Sequence, residues 1–232
     1  MPAEIATRRI ISKTLPRLFA GTIAISLACS LFIRPGHTDD VVARSAEQIQ
    51  PLRVGQNAPA FAVDTVAGQP FHFEPASLER PTILISFRGG WCPYCNLHLS
   101  ELRHVLPQIN DMGVDVMFLS GDRPELLYES LGEDTLADID GLNYKIYSDA
   151  NADAAMAFGT AFRAADKTIQ GRRKKGQDID GSSMVRHGVL PVPSVFAVDT
   201  HGIIRFAYSN ADYKVRLPAD ELLAVATELV SD

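Results

Sequence analysis

The sequence predicts an α/β protein with a central mixed β-sheet flanked by helices and an N-terminal β-hairpin extension. Three observations predict it. "PTILISF", Pro81 to Phe87, is a near-continuous apolar run of the kind a strand buried on both faces of a sheet needs. From Pro93 the period changes, and Cys95, Leu99, Leu102, Leu106 and Ile109 fall at helical spacing. Strand and helix patterns then alternate down the chain and close with a hairpin, "SVFAVDTHGIIRFAY".

The N-terminus differs in kind from the rest. Arg8, Arg9, Lys13 and Arg17 precede an apolar run from Leu18 to Ile33. A basic head before a short apolar stretch is the layout of a secretory signal. The run is shorter than the ~20 residues a spanning helix usually needs. "TRRIISK" resembles a twin-arginine export signal, with Ile11 and Ser12 where Phe and Leu are typical. "SLA", Ser26 to Ala28, offers a small-residue cleavage site, yet apolar residues continue beyond it. Residues 1–33 are therefore read as a signal sequence or membrane anchor. The positive charges before the run put the main domain outside the cytoplasm, in the periplasm or cell envelope. Residues 34–51 read as a linker, and 52–232 as one domain.

Within that domain the elements follow in order. "FAVDTVAGQPFHF" reads as strand, turn at Ala67-Gly68, and strand. "PTILISF" is the buried strand, and one helix is expected from Pro93 until "NDMG" ends it. "VDVMFLS" is the next strand. In "DRPELLYESL", Asp122 stands three before Glu125, a capping-box signature for a helix. "YKIYS" is a strand, "ADAAMAF" a helix, and the closing hairpin turns at Asp199 to Gly202. Between 159 and 190 the periodicity weakens, so a loop-rich insertion is expected, with "GRRKKG" (Gly171 to Gly176) as a solvated surface loop.

Composition limits the chemistry. The chain has 232 residues, 46% hydrophobic, with net charge −6, enough for one sizeable domain and a poor match to a nucleic-acid partner. Its three cysteines, Cys29, Cys92 and Cys95, are too few for a disulfide scaffold. Cys92 and Cys95 stand in "GGWCPYC", where the buried strand meets the helix. Pro93 suits the first helical position because it has no N–H to leave unpaired there. That puts Cys92 at or near the N-cap, where unpaired amides and the helix dipole favour a thiolate. Thiols in such Cys-X-X-Cys settings titrate at ~3.5–7.5 rather than ~8.5. Cys92 is thus the attacking sulfur. Cys95, a turn further in on the apolar face, is shielded and placed to resolve an intermediate on Cys92.

Other readings of the pair are weaker. A zinc half-site would need further ligands; His98 and His104 are near, but there is no second cysteine pair. His98 and His104 read as ordinary helix-surface residues. A permanent disulfide would close a very small loop and constrain the unfolded chain little.

The motif "FRGGWCPYC", Phe87 to Cys95, resembles the signature of the alkyl hydroperoxide reductase and thiol-specific antioxidant family, peroxiredoxin-like proteins of the thioredoxin superfamily. The resemblance runs through "VGQNAPAFAV", "YSDANADAAMAFG", "LPVPSVFAVDTHGIIRFAY" and "DYKVRLPADELL". Trp91-Cys92 is similar to thioredoxin, and "CPYC" to the glutaredoxin active site. The resemblance implies a thioredoxin-like fold with Cys92 as the peroxidatic or attacking cysteine and Cys95 as the second thioredoxin cysteine. Pro193 matches the thioredoxin cis-proline beside the cysteine pair. No cofactor is implied.

The sequence departs from that family at two places. Gly89 stands where peroxiredoxins carry Thr or Ser, and Pro193 where they carry Arg before the "VFAVD" strand. Backbone amides near Gly90 to Cys92, together with Arg88, would have to orient a peroxide. Arg205 reads as an exposed strand residue. Three functions are open. A thiol peroxidase would reduce hydroperoxides and be reset by a thioredoxin- or glutathione-type donor. A thiol–disulfide oxidoreductase would act on protein or small-molecule disulfides. A non-enzymatic envelope redox sensor would change partner binding without turnover.

Overall fold

A seven-stranded mixed sheet forms the centre of the computed structural model, which describes residues 42–127 and 144–231. Its strands, in chain order, are β1 (Phe61–Asp64), β2 (Pro70–Phe73), β3 (Thr82–Phe87), β4 (Asp115–Ser120), β5 (Tyr144–Ser148), β8 (Ser194–Val198) and β9 (Ile204–Ser209). Across the sheet they run β2-β1-β5-β4-β3-β8-β9. The β3, β4 and β5 strands are parallel, and the hairpins β1-β2 and β8-β9 add antiparallel edges. A separate two-stranded ribbon pairs β6 (Ala161–Arg163) with β7 (Val189–Pro191). The helices are α1 (Pro93–Leu102), α2 (Leu106–Asp111), α3 (Asp153–Ala157), α4 (Asp166–Lys174), α5 (Ser183–Arg186) and α6 (Ala219–Leu229).

The strand period of two divides the core. Ile83 and Ile85 of β3, with Val116 and Phe118 of β4, join a cluster with Leu99, Leu102, Ile109, Leu222 and Ala226 of α1, α2 and α6. Leu84, Met117 and Leu119 point the other way, to Phe61, Val63 and Phe73 of the β1-β2 hairpin, Ala154 of α3 and Phe158 at its C-cap. Both faces of β3 are therefore covered, as its apolar run requires.

The single helix expected from Pro93 is two helices. Pro107, in the first turn of α2, has no N–H to give and crowds the carbonyl four residues back, so the chain breaks between Leu102 and Leu106. The Asp122 capping box does not form. The residue before the short 3-10 turn Pro124–Leu126 is Arg123, and Asp122 is buried elsewhere. The rest of that predicted helix lies outside the described residues.

The stretch read as loop-rich, 159–190, carries β6, α4, α5 and β7. "GRRKKG" forms the end of α4 and its cap rather than a free loop. The linker reading also meets structure where it is described. Val42 and Ala46 are buried, Ala43 bridges to Phe162, and the Ala43 amide donates to Ala161 O while its carbonyl accepts from the Arg163 amide of this ribbon. Residues 1–33, the signal or anchor reading, lie outside the described residues. Among the described residues no helix is long and apolar enough to cross a membrane.

Candidate active site

The β3 strand ends at Phe87, and α1 begins six residues later at Pro93. Gly89, Gly90 and Trp91 make the turn between them. Cys92 is the N-cap of α1 in an extended conformation, with Pro93 at the first helical position. Its amide donates to Gly89 O, and its carbonyl accepts from Cys95 and Asn96. Both cysteines are free thiols and fully buried.

The two sulfurs are electrostatically unlike. The Cys95 side chain is hydrogen-bonded to Cys92 and, against the cost of burial, brings the Cys92 thiol down to about 6; the Cys95 amide, Arg216 and Arg88 add to this. Burial pushes Cys95 well up, and the charge of the Cys92 thiolate pushes it further. One sulfur is thus ionised at neutral pH while the other holds a proton.

Two arginines attend them. Arg88 is buried with its guanidinium 4.2 Å from the Tyr213 ring centre and 5.5 Å from that of Phe162. Burial lowers the ease with which Arg88 carries its charge, and the charges of Cys92 and Cys95 oppose that loss. Arg216 reaches in from the loop before α6, where its Nη2 donates to Cys95 Sγ at 3.3 Å and its Nε to Tyr213 O at 2.7 Å. Arg205 lies elsewhere and pairs with Asp199 at 2.6 Å.

Gly89 has a physical reason to be glycine. Its φ of +140° disfavours a side chain, and a Cβ there would come within 2.6 Å of both Asp122 Oδ1 and Trp91 Nε1. The Asp122 carboxyl fills that space and accepts the Gly90 amide at 2.7 Å. Burial raises Asp122 to about 6 against the pull of the Gly90 and Trp91 N–H groups. Asp122 Oδ1 and Trp91 Nε1 face each other with neither making a full hydrogen bond.

Trp91 is buried beneath the insertion. Arg172 of α4 lies 4.7 Å from its ring centre, and Gln177 Nε2 donates to Trp91 O at 2.9 Å. Pro193 is buried immediately before β8. Because Ser194 registers with Ser86, Pro193 sits at the same sheet end as Phe87 and the motif. His98 is not on the surface as the sequence suggested. It is buried, and its Nε2 bonds to Leu217 O at 2.9 Å. A cleft of about 660 Å³ borders the site, lined in part by Arg88, Phe162, Tyr213 and Lys214.

The fold brings Arg88, Gly90, Trp91, Cys92, Pro93 and Cys95 together, with Pro193 at the same sheet end. Sequence reasoning missed Arg216, Asp122, Arg172 and Gln177. Asp122 did carry a signal, but a local one that named the wrong partner. Nothing near Arg216 in the chain marks it as a partner of a sulfur 121 positions away.

A strand-to-helix turn carrying a Cys-Pro-Tyr-Cys pair on a thioredoxin-like sheet defines a thiol-based oxidoreductase. The chain belongs to the AhpC/TSA family, whose profile matches residues 54–207. Among curated relatives, the thiol-disulfide oxidoreductase ResA of Bacillus thuringiensis is 22% identical over 66% of this chain and 68% of its own. Peroxiredoxin Bcp of Escherichia coli is 24% identical over 60% of this chain and 86% of its own. A solved peroxiredoxin-like protein from Aquifex aeolicus shares the fold with a TM-score of 0.58, at 18% identity, covering 78% of this chain and 89% of that one. The protein is accordingly an oxidoreductase enzyme of the thioredoxin superfamily.

Proposed function

We propose that this enzyme reduces hydroperoxides, with Cys92 as the attacking thiolate and Cys95 as the resolving thiol. One observation carries the reading. Cys92 is held as a thiolate, yet both sulfurs have 0% exposure, which suits a small peroxide better than a bulky disulfide. Cys92 S⁻ attacks the outer oxygen of ROOH, the O–O bond breaks, and the alkoxide leaves with a proton as ROH. Cys92 is left as a sulfenic acid. Cys95 then attacks that sulfur, an S–S bond forms, and hydroxide leaves as water. A thioredoxin- or glutathione-type dithiol or thiol pair reduces the disulfide. Gly90, Trp91 and Pro93 fix the turn, Arg88 stabilises the developing charge, and Pro193 borders the substrate side.

Without the family hydroxyl at position 89, one charged or polar contact to the transition state is missing. Such a loss costs ~2.7–4 kcal/mol, a rate factor of ~10²–10³. The enzyme should therefore be slower than a full-motif peroxiredoxin. Disulfide exchange is the second reading, supported by the CPYC motif and the ResA relatives. Stopped-flow oxidation of the reduced protein, by hydrogen peroxide and in parallel by a small model disulfide, tests the pair. Oxidation by peroxide well above a free thiol at matched ionisation, lost in Cys92→Ser, supports peroxidase activity. Peroxide oxidation no faster than that of a free thiol sinks it in favour of disulfide exchange.

The basic head and apolar run of residues 1–33 support work outside the cytoplasm, by export or anchoring. Fusing residues 1–50 to a reporter active only outside the cytoplasm tests this, and a silent fusion would count against it.

A further inference from the structure

The sequence puts Arg216 in "DYKVRLPADELL", between the last strand and the last helix. The fold pins this segment on both sides of Arg216. Upstream, Tyr213 O accepts Arg216 Nε, and the Tyr213 ring packs edge-on against Tyr94 of α1 at 5.6 Å. Downstream, Leu217 is fully buried and its carbonyl bonds to His98 of α1. The His98 ring, pushed down to about 4 mainly by burial, stays neutral and holds that bond across the working pH range. A half-buried guanidinium is thereby fixed with one nitrogen on Cys95 Sγ.

The placement is unusual for a cation serving only the attacking sulfur. Its direct hydrogen bond goes to the resolving sulfur, while its charge acts on both. In the reduced enzyme the negative charge sits on Cys92, and Cys95 keeps its proton in the hydrogen bond between them. Once Cys92 is a sulfenic acid, that charge is gone. The cation at Cys95 then has no other thiolate to serve.

We propose that Arg216 is the catalytic cation of the resolving step, supporting the Cys92 thiolate before oxidation and the Cys95 thiolate after it. The proposal rests on the peroxidase reading above. In the step concerned, Cys95 loses its proton and its sulfur attacks Cys92 Sγ. The S–S bond forms, the S–O bond breaks, and the leaving hydroxide takes up a proton to give water. When a donor thiolate later attacks Cys92 of the disulfide, Cys95 leaves as a thiolate, and the same guanidinium stabilises it. The charged and titratable groups around Cys95 are Cys92, Arg88 and Arg216, with Tyr213 packed against both arginines and His98 one turn along the same helix. The remaining neighbours in its cluster, such as Leu99, Leu222 and Ala226, are apolar.

Single-turnover oxidation by one equivalent of hydrogen peroxide tests this in the full chain. Wild type, Cys95→Ser, Arg216→Gln and Arg216→Lys are compared from pH 5.5 to 8.5. Trapping of the Cys92 sulfenic acid is followed beside disulfide formation, and circular dichroism checks the fold. Arg216→Gln should prolong the sulfenic acid by roughly tenfold and shift resolution to higher pH. Formation of the sulfenic acid should slow less. Arg216→Lys, which keeps the charge, should recover most of the resolving rate. Resolution by folded Arg216→Gln at the wild-type rate and pH profile would overturn the role. If Cys95→Ser accumulates no sulfenic acid at all, the peroxidase reading itself fails, and the proposal falls with it.

Discussion

At the residue scale, the Cys95 hydrogen bond is the largest influence lowering Cys92 toward 6. Alkylation of reduced wild type by iodoacetamide should accordingly show a midpoint near pH 6. Cys95→Ala should move that midpoint up toward the ordinary thiol range near ~8.5; an unmoved midpoint would mean that helix and arginines alone set it. Gly89 gives a second expectation. Gly89→Thr restores the hydroxyl that the family carries, but its Cβ would collide with Asp122 and Trp91 at an unfavourable φ. It should cost about 2–4 kcal/mol in urea unfolding and should not speed peroxide reduction. A stable, faster Gly89→Thr enzyme would refute that account.

Asp122 belongs to the same scale and gives a pH signature of defined sign. Its folded-state value of about 6 lies above the ordinary 3.8, so the folded protein binds this proton more tightly than the unfolded chain does. The stability it contributes is fully present below about pH 4 and is lost as pH rises through about 6. Asp122→Asn keeps an acceptor for the Gly90 amide but cannot titrate. The wild type should therefore lose on the order of 2–3 kcal/mol relative to Asp122→Asn between pH 4 and 7.5. Asp149, raised to about 7 by burial, titrates with the same sign in both proteins and cancels in the difference. Parallel stability curves for the two proteins over that range would show that the Asp122 proton is not coupled to folding.

At the element scale, what the sequence disclosed depended on how long and how regular each element was. β3 and β4 each have six residues with both faces buried, and their apolar runs were plain. The Cys92–Cys95 turn was equally plain, because strand, proline and helix period meet within a few residues. The α1–α2 break was not seen, because the apolar spacing continues through Pro107 and outweighed it. The α4 helix, "DKTIQGRRK", buries no residue, so it has no apolar stripe to announce it. Its contribution is a polar cover on Trp91 through Arg172 and, just beyond it, Gln177. A cation–π contact of ~0.5–1 kcal/mol and a hydrogen bond of ~1 kcal/mol hold that cover. Removing both in Arg172→Ala/Gln177→Ala should raise the reaction of Cys92 with a bulky aromatic disulfide reagent by about tenfold. The rate with hydrogen peroxide, which needs a much smaller opening to reach the buried Cys92, should change far less. Equal acceleration of both reagents would show that the cover does not gate the site.

At the scale of the whole molecule, the site is assembled from parts that only the tertiary fold brings near. The motif turn, the Asp122 loop after β4, the insertion and the Arg216 loop come from four regions of the chain. No window of sequence contains two of the last three together, which is why each was misread or missed. The same long-range logic applies to the start of the domain. Val42 and Ala46 are buried, and residue 43 bonds to the β6 ribbon, the base from which the insertion leaves and returns. Burying a valine contributes ~1.5–3 kcal/mol, and each backbone bond ~1 kcal/mol. A chain begun at Gly36 keeps these contacts and is the reference in urea unfolding. One begun at Leu52, where the sequence alone placed the domain start, should lose about 3 kcal/mol. Because the ribbon connects to α4, the shorter chain should also expose Cys92 to the bulky disulfide reagent, as the Arg172/Gln177 variant does. Equal stability and equal reagent access in the two truncated chains would make residues 42–51 a linker after all.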